Sequence, residues 1–446
     1  MGQIHTRRLA SGLTLIIEPM SGVRSVAVNW LLPAGFITDP DPLEGLAPMI
    51  AELVFRGAGD LDSRAQADAM DRLGVSRSSD ASSHHLRLGF VLTGDRLMAA
   101  LPPIADTVRR PRFEQDAIEP TRDLALQSLE SLKDDPHQRA ILAARAAHND
   151  YPFSRSGLGT AEGLSAITRD DILHHWQRQA RPESAILAIA GDVGAGDRAP
   201  DAIASRLDAL LHGWSGAPPA VSLRPASAKG SYIHVPDESA QEQIVLVYDA
   251  PPEKQPDSRL ERVVSSVLSG GMACRLFSEV REKRGLCYSV SQSYAADRDF
   301  GRCVAYVGTT PERAQLSLDV LYAELLKTSA PEGQVTPDEL QRALIGIKSN
   351  IIFSGESTGA RASALAADFF RLGRARTLDE IADQYAAITL DDVNAYLARR
   401  RMGPTTIVTL GAAALTPPAS PASPPRRSRA KPHTPPRSAR APTHRR

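Results

Sequence analysis

The pattern of apolar and polar positions divides the chain into strands that are followed by long helices. Apolar or β-branched runs at 13–18 and 25–32 predict two strands. A helix at 63–73 leads to a predicted strand at 83–93, and long helices follow between 96 and 148. Strands and helices alternate too irregularly for a doubly wound sheet, so the pattern predicts an α+β fold.

The second part of the chain repeats this order. The repeated elements are strands near Ile233, at 244–248 and after Cys287 and Cys303, with helices from Arg259 and from Arg275. One later helix opens with Thr336-Pro337-Asp338-Glu339, which combines an N-cap, a first-turn proline and a capping glutamate. Two similar layered halves are therefore expected.

A short internal repeat supports this duplication. AITRDDI at 166–172 and AITLDDV at 387–393 each open a helix, which leads to an apolar strand ending at Gly191 or Gly411. Each helix begins with Thr and has Asp three residues later, which is typical of a capping box. The pairs are Thr168 with Asp171 and Thr389 with Asp392. The two copies begin at 166 and 387, and this long separation indicates a duplicated domain, because solenoid units are much shorter.

Composition sets the domain limits. We expect an N-terminal domain at 1–212, a Gly/Pro/Ser-rich linker at 213–230 and a C-terminal domain at 231–412. Residues 413–446 are rich in Pro, Ala, Ser and Arg and are predicted to be disordered. The eight basic residues of this tail leave the body with a net charge of about −8, which argues against a nucleic-acid-binding surface. The alternative remains that the basic tail binds weakly to an anionic partner.

Cysteine and histidine do not form an evident reactive or metal site. Cys274, Cys287 and Cys303 contain no CxxC pair, and Cys287 is expected to be a small core residue rather than a reactive thiol. The adjacent histidines at 84–85 and 174–175 are poorly spaced to share a metal ion. Without a run of 18 apolar residues or a signal-like start, we expect a cytoplasmic protein, or a periplasmic one if a leader was removed.

The segment GLAPMIAELVFRG, at 45–57, resembles the zinc-binding helix of the M16 (pitrilysin-type) metallopeptidase family. In that family the helix carries His-x-x-Glu-His, which supplies two zinc ligands and the base that activates water. Those positions fall here on Pro48, Ala51 and Glu52. The degenerate motif therefore predicts that this chain binds no zinc. Because proline kinks a helix beyond its first turn, we also expect this helix to start late or to bend at Pro48.

The family's third ligand is a glutamate on a later helix, which corresponds to LALQSLESLKDDP at 124–136. It would fall near Gln127 or Ser128, and neither is a plausible zinc ligand. Glu130 is close in sequence, but a shift of two residues places it on a different face of the helix.

A second resemblance lies in SGGMACRLFSEVREKRGLCYSV, at 269–290, which is similar to the family's C-terminal signature. There an arginine and a tyrosine seven residues apart reach toward the catalytic zinc, and they correspond to Arg281 and Tyr288. A guanidinium can hold a substrate carbonyl or terminus, and a phenol can donate to a developing oxyanion. Two weaker matches, at 148–160 and 187–193, extend the resemblance over roughly residues 1 to 412.

The resemblance implies two homologous α/β-sandwich halves of the LuxS/MPP-like metallohydrolase type, arranged as a clamshell. It implies a zinc-less subunit, inactive alone, that lends Arg281 and Tyr288 to a zinc-bearing sister subunit and helps to enclose unfolded peptide. Zinc is expected on that partner and no cofactor on this chain. Peptide is expected to add to an exposed edge strand near 82–90, at Ser82, His84 and Leu86.

Two other interpretations remain. The chain could be a scaffold or peptide-binding protein of the same fold with no catalytic contribution. It could also be an enzyme that acts alone through a relocated metal or a thiol.

Overall fold

A computed structural model describes residues 3–221 and 230–418, and it contains two β-sheets covered by helices. The predicted linker residues 222–229 and the tail residues 419–446 lie outside the described residues. The first sheet consists of β1 (His5–Arg8), β2 (Thr14–Pro19), β3 (Ser25–Leu32), β4 (Ser76–Ala81), β5 (Leu86–Thr93) and β6 (Ile186–Gly191). The second consists of β7 (Tyr232–Pro236), β8 (Glu242–Ala250), β9 (Cys287–Ala296), β10 (Gly301–Thr309) and β11 (Thr406–Gly411).

The two sheets share one topology. The strand order is β1-β2-β6-β3-β5-β4 in the first and β7-β11-β8-β10-β9 in the second. The pairs β2–β6 and β7–β11 are parallel, and the remaining pairs are antiparallel. Apart from the added β1, every strand of one sheet has a counterpart in the other. The α+β class and the duplication are therefore confirmed.

The helices follow the same repeat. In the first half they are α1 (Leu46–Leu53), α2 (Ser63–Arg72), α3 (Leu97–Arg109), α4 (Gln115–Ser131), α5 (Pro136–His148), α6 (Ala161–Ala166), α7 (Arg169–Gln179) and α8 (Pro200–Leu210). In the second they are α9 (Asp257–Ser269), α10 (Ala314–Lys327), α11 (Pro337–Glu356), α12 (Thr358–Leu372), α13 (Leu378–Ala386) and α14 (Leu390–Arg399). The predicted capping boxes are present at the starts of α7, α11 and α14.

Each half has its own core, built where one face of its sheet meets helices. In the first half, Trp30 of β3 and Phe90 of β5 are fully buried among residues from α1 and α3. In the second, Tyr248 of β8 and Leu321 of α10 belong to the corresponding cluster. Burial of these apolar surfaces is the main stabilising contribution to both halves.

One helix of each half crosses to the sheet of the other half. Helix α5 packs on β8 and β11, and helix α12 packs on β3 and β6. The crossing of α12 is anchored by a buried ion pair between Arg361 and Glu18 of β2. The crossing of α5 is anchored by a hydrogen bond of 3.0 Å between His148 Nδ1 and Thr406 Oγ1 and by a partly exposed ion pair between Arg139 and Asp237. The two halves are therefore interlocked, which the repeat in the sequence did not predict.

The predicted strand at 83–93 begins at Leu86, because residues 82–85 form the turn between β4 and β5. Strand β4 was not predicted, since its sequence SRSSDA is polar except for the final alanine. Within the described parts of the chain, no helix combines the length and apolarity needed to cross a membrane.

Candidate functional site

Helix α1 carries the degenerate zinc motif and begins at Leu46. Its N-terminus is held by the buried Asp39 carboxylate, which accepts hydrogen bonds from the backbone N–H groups of Gly45, at 3.0 Å, and Ala47, at 3.1 Å. Pro48 lies in the first turn, where a backbone N–H has no partner within the helix. The helix thus starts late enough to place Pro48 in its first turn, which is one of the two predicted outcomes, and no kink is required.

The three motif positions of α1 cannot bind a metal ion. Ala51 is 6% exposed and belongs to the first core, and its carbonyl accepts a hydrogen bond of 2.6 Å from Ser79 Oγ. Glu52 is exposed and forms an i,i+4 ion pair of 2.7 Å with Arg56. With the non-ligating Pro48, the helix offers a single carboxylate that is already paired.

Helix α4 does not supply a replacement. Gln127 and Ser128 are exposed, and the Ser128 hydroxyl donates to the Leu124 carbonyl at 2.9 Å. Glu130 is paired with Lys133 at 2.7 Å. Nowhere in residues 3–221 or 230–418 do three His, Cys, Asp or Glu side chains form a group that could hold a metal ion. The residue types on α1 and α4 therefore do not fit the zinc ion of the resembled family.

The adjacent histidines are packing residues. His84 lies 3.2 Å from the carboxylate of Asp297, which belongs to the β9–β10 turn of the other half. His85 is buried against the Phe370 ring of α12, and burial lowers its pKa to about 3. His175 is buried near Thr38, and burial lowers its pKa to about 4. These imidazoles contribute to packing, and those at 84–85 do so between the halves.

The predicted peptide-binding strand is wrong in its placement. Strand β5 pairs with β3 on one side and β4 on the other, so it lies inside the sheet. Ser82 and His84 lie in the β4–β5 turn, and Leu86 is fully buried in the first core. The alternating pattern marked a strand correctly but could not show that a polar strand, β4, covers its edge.

The segment with Arg281 and Tyr288 is built differently from α1. Residues Phe277–Glu282 form a π-helical turn, and Tyr288 follows at the start of the edge strand β9. π-helical turns are rare in proteins, and those that do occur often lie at functional sites. The Arg281 Cζ atom lies 4.7 Å from the ring centroid of Phe277 and 5.1 Å from that of Tyr288. The structure thus brings the two predicted residues into contact, beside an aromatic residue that the motif did not mark.

The charge of Arg281 is not neutralised by its neighbours. Glu279 pairs with Lys283 at 2.6 Å and with Arg284 at 2.8 Å, and hydrogen bonds from these two side chains lower its pKa. Within the described ranges, the Arg281 guanidinium makes no hydrogen bond or ion pair, and it lies against the two rings. Its donors are therefore available to an incoming carbonyl or carboxylate.

Tyr288 is 82% exposed, so its phenol is open to a ligand. Cys287 beside it is half-buried, and burial raises the pKa of the thiol to about 11, although Arg281 opposes this shift. A neutral thiol is a poor nucleophile, which argues against the interpretation of a thiol enzyme. Cys303 is fully buried, and its thiol donates to Glu261 at 3.2 Å.

The loop before the π-helical turn is fastened to the start of α11. Arg275 donates to both carboxylate oxygens of Glu339, at 2.6 and 2.8 Å, and to the carbonyls of Gly333 and Gln334. Burial opposes ionisation of Glu339, but the bonds from Arg275 and Thr336 lower its pKa to about 2. This anchor orients the segment that continues into Arg281.

Sequence reasoning missed Phe277 and the capping role of Asp39. Phe277 lies four residues before Arg281, a spacing that brings side chains together on a helix and could have indicated the contact. Asp39 lies in a loop before α1, and no local pattern connects it with that helix.

Two family models match the chain. Residues 15–160 match the model described as "Insulinase (Peptidase family M16)", and residues 166–346 match that described as "Peptidase M16 inactive domain". Together they cover most of the first half and the second half as far as residue 346.

Similar proteins agree with these matches. A Mycobacterium leprae protein named "Uncharacterized zinc protease" is 28% identical over 424 residues, which are 94% of this chain and 93% of the relative. A Bacillus subtilis protein, "Uncharacterized zinc protease YmxG", is 24% identical over 87% of this chain and 93% of its own length.

Two solved structures share the fold. The "peptidase M16 inactive domain" from Pseudomonas fluorescens superposes with a TM-score of 0.82 at 23% identity, covering 94% of this chain and all of that one. A "protease from Helicobacter pylori" superposes with a TM-score of 0.80 at 19% identity, covering 92% of this chain and all of that one.

Proposed function

Because the chain belongs to the M16 peptidase family, we propose that it is the zinc-less subunit of a heterodimeric M16-type peptidase. In this proposal a sister subunit carries the zinc ion and performs the hydrolysis. This chain supplies Arg281 and Tyr288 to the sister's active site and helps to enclose an unfolded peptide. The observation that carries the proposal is the contact between the Arg281 guanidinium, whose charge is unpaired, and the exposed ring of Tyr288.

The chemistry of the pair supports this role. The Arg281 guanidinium can donate two parallel hydrogen bonds to a peptide carbonyl or terminal carboxylate and so hold the substrate. The Tyr288 phenol can donate to the oxygen on which negative charge develops when the carbonyl is attacked. Neither group can activate water at neutral pH, so the attacking nucleophile must come from the partner.

The sheet edges support peptide enclosure. Strands β4 and β9 each end a sheet, and β9 begins beside Tyr288. An extended peptide that pairs with β9 would pass directly by the Arg281–Tyr288 contact. The peptide-binding edge is therefore reassigned from 82–90 to β9, as part of the proposal.

The test is hydrolysis of an unfolded peptide by the chain alone, by the zinc-bearing sister alone, and by the mixture. Tyr288→Phe and Arg281→Ala should each lower the rate of the mixture about 100-fold, the typical cost of removing one oxyanion donor. Arg284→Ala is the matched control, because Arg284 follows Arg281 by three residues but is paired with Glu279.

Two outcomes would reject the proposal. Unchanged hydrolysis by the mixture after both substitutions would favour a scaffold role. One zinc ion per chain, with hydrolysis by the isolated chain, would show an enzyme that acts alone.

A further inference from the structure

The C-terminal half of α11 carries large apolar side chains on its solvent face, where the exposed Lys348 and Glu356 also lie. Leu340 and Ala343 face the second core, whereas Asp338, Gln341 and Arg342 are exposed in the first turns. Beyond them the same exposed face carries three large apolar side chains. These are Ile345, 58% exposed, Ile352, 49% exposed, and Phe353, 67% exposed. Residues seven or eight apart lie two turns apart on one face, so the three form a strip.

The strip lies on the helix that anchors the Arg281 segment. Arg275 binds Glu339 in the first turn of α11, and the loop before Arg275 exposes Met272 at 75%. A small cavity between this loop and α11 is lined by Gly271 and Arg342, among others. Exposed apolar groups therefore continue from the loop of the Arg281 segment onto α11.

The size of the strip favours a peptide over a subunit. Its three side chains offer roughly 300 Å² of apolar surface, whereas a stable protein interface needs about 800 Å² from each partner. Ile345 and Ile352 are about 10 Å apart along the helix axis, which equals about three residues of an extended chain. Such a strip fits two or three apolar side chains of one extended segment.

The counterpart helix of the first half differs. The solvent face of α4 exposes one large apolar side chain, Leu124, next to the polar Gln127 and Ser128. Helices α4 and α11 otherwise occupy equivalent places, against α1 and α9 respectively. A preference for peptides with apolar side chains would therefore come from the second half of the chain.

We propose that Ile345, Ile352 and Phe353 bind apolar side chains of an extended peptide, which makes peptides with spaced large apolar residues the preferred substrate class. This inference rests on the proposed function for its biological meaning. Its binding step needs neither the sister subunit nor Arg281 and Tyr288.

The experiment measures binding of two fluorescent 20-residue unfolded peptides to the full chain by anisotropy. One peptide carries spaced leucines and the other has serine at those positions. The triple variant Ile345→Ser/Ile352→Ser/Phe353→Ser should bind the leucine peptide about tenfold more weakly than the unsubstituted chain. Leu316→Ser is the matched control, since Leu316 is 53% exposed on α10, and it should bind both peptides unchanged.

Each outcome has a defined meaning. Unchanged binding of the leucine peptide by the triple variant overturns the inference, as does an equal loss for the serine peptide. Loss of self-association or of sister binding in sedimentation velocity, with peptide binding retained, identifies the strip as a subunit contact and also overturns it. Hydrolysis that is insensitive to Arg281→Ala, with strip-dependent binding intact, rejects the proposed function alone.

Discussion

The two halves repeat one topology, but they present opposite surfaces near their first helices. In the first half, α1 turns its apolar residues inward, and its one charged side chain is paired with Arg56. In the second half, a π-helical turn holds Arg281 between two rings and leaves Tyr288 exposed. The same fold can therefore close one potential site while it keeps another open.

The crossing helices show a second difference. Helix α12 brings a fully buried charge to the first sheet, where Glu18 neutralises it, whereas the ion pair of α5, between Arg139 and Asp237, is partly exposed to solvent. A buried ion pair is costly to break on one side only, because the remaining charge is left without a partner. The two junctions should therefore respond unequally to substitution.

The largest expected effect is at the α12 junction. Arg361→Met should lower the free energy of unfolding by about 3–5 kcal/mol, since it leaves the Glu18 carboxylate buried and unpaired. At the α5 junction, Thr406→Val removes only the hydrogen bond to His148 and should cost about 1–2 kcal/mol. Urea unfolding of both variants measures the difference. The double variant Glu18→Met/Arg361→Met should recover most of the loss, and failure to recover would show that the ion pair is not the cause.

The second prediction concerns the closed surface of α1. Ala51→Glu should destabilise the fold by about 2–4 kcal/mol, because it places a carboxyl group in the first core. Glu52→Gln changes only an exposed i,i+4 pair and should cost about 0.3–0.5 kcal/mol. Thermal melts of the two variants provide the measurement. Equal costs would mean that α1 is less closed than its burial indicates.

The third prediction uses acid to loosen the contact between the halves. Burial lowers the pKa of His85 to about 3, below the 6.5 of an unfolded histidine. Between these values the unfolded chain binds one more proton, so stability is lost as the pH falls from 6.5 toward 3, by up to about 1.4 kcal/mol per pH unit. His85→Phe should remove this share of the pH dependence in unfolding curves at pH 5 and pH 7. A slope identical to that of the unsubstituted chain would contradict it.

The smallest effect is expected at the open surface. Phe277→Leu removes one of the two rings around Arg281 and should lower partner-dependent hydrolysis about fivefold, because a cation–π contact at such a site contributes about 1 kcal/mol. Phe277→Tyr should retain the rate. In nuclear magnetic resonance of the isolated chain, the ring-current shift of the Arg281 Nε–Hε signal should change in the leucine variant only, because the Tyr288 ring remains in both variants. An unchanged shift in the leucine variant would show that Phe277 does not position Arg281.

Local patterns predicted many elements well. The capping boxes at α7, α11 and α14 follow from Thr and an acidic residue three positions later, an interaction within one helical turn. The β4 edge could not be predicted, because SRSSDA has no apolar alternation and pairs through its backbone. The peptide edge was misplaced for the same reason.

The sequence by itself determined the duplication, the α+β class and the absence of the family's two histidines and catalytic glutamate, which are replaced by Pro48, Glu52 and Ala51, because these depend on residue identity and short spacings. Only the tertiary structure decided that α5 and α12 exchange sheets, that Asp39 caps α1, and that Arg281 lies unpaired between Phe277 and Tyr288. The exchange of helices and the Asp39 cap depend on how distant segments pack, and the unpaired charge of Arg281 depends on which neighbouring charges are already paired, and neither is encoded in any local pattern.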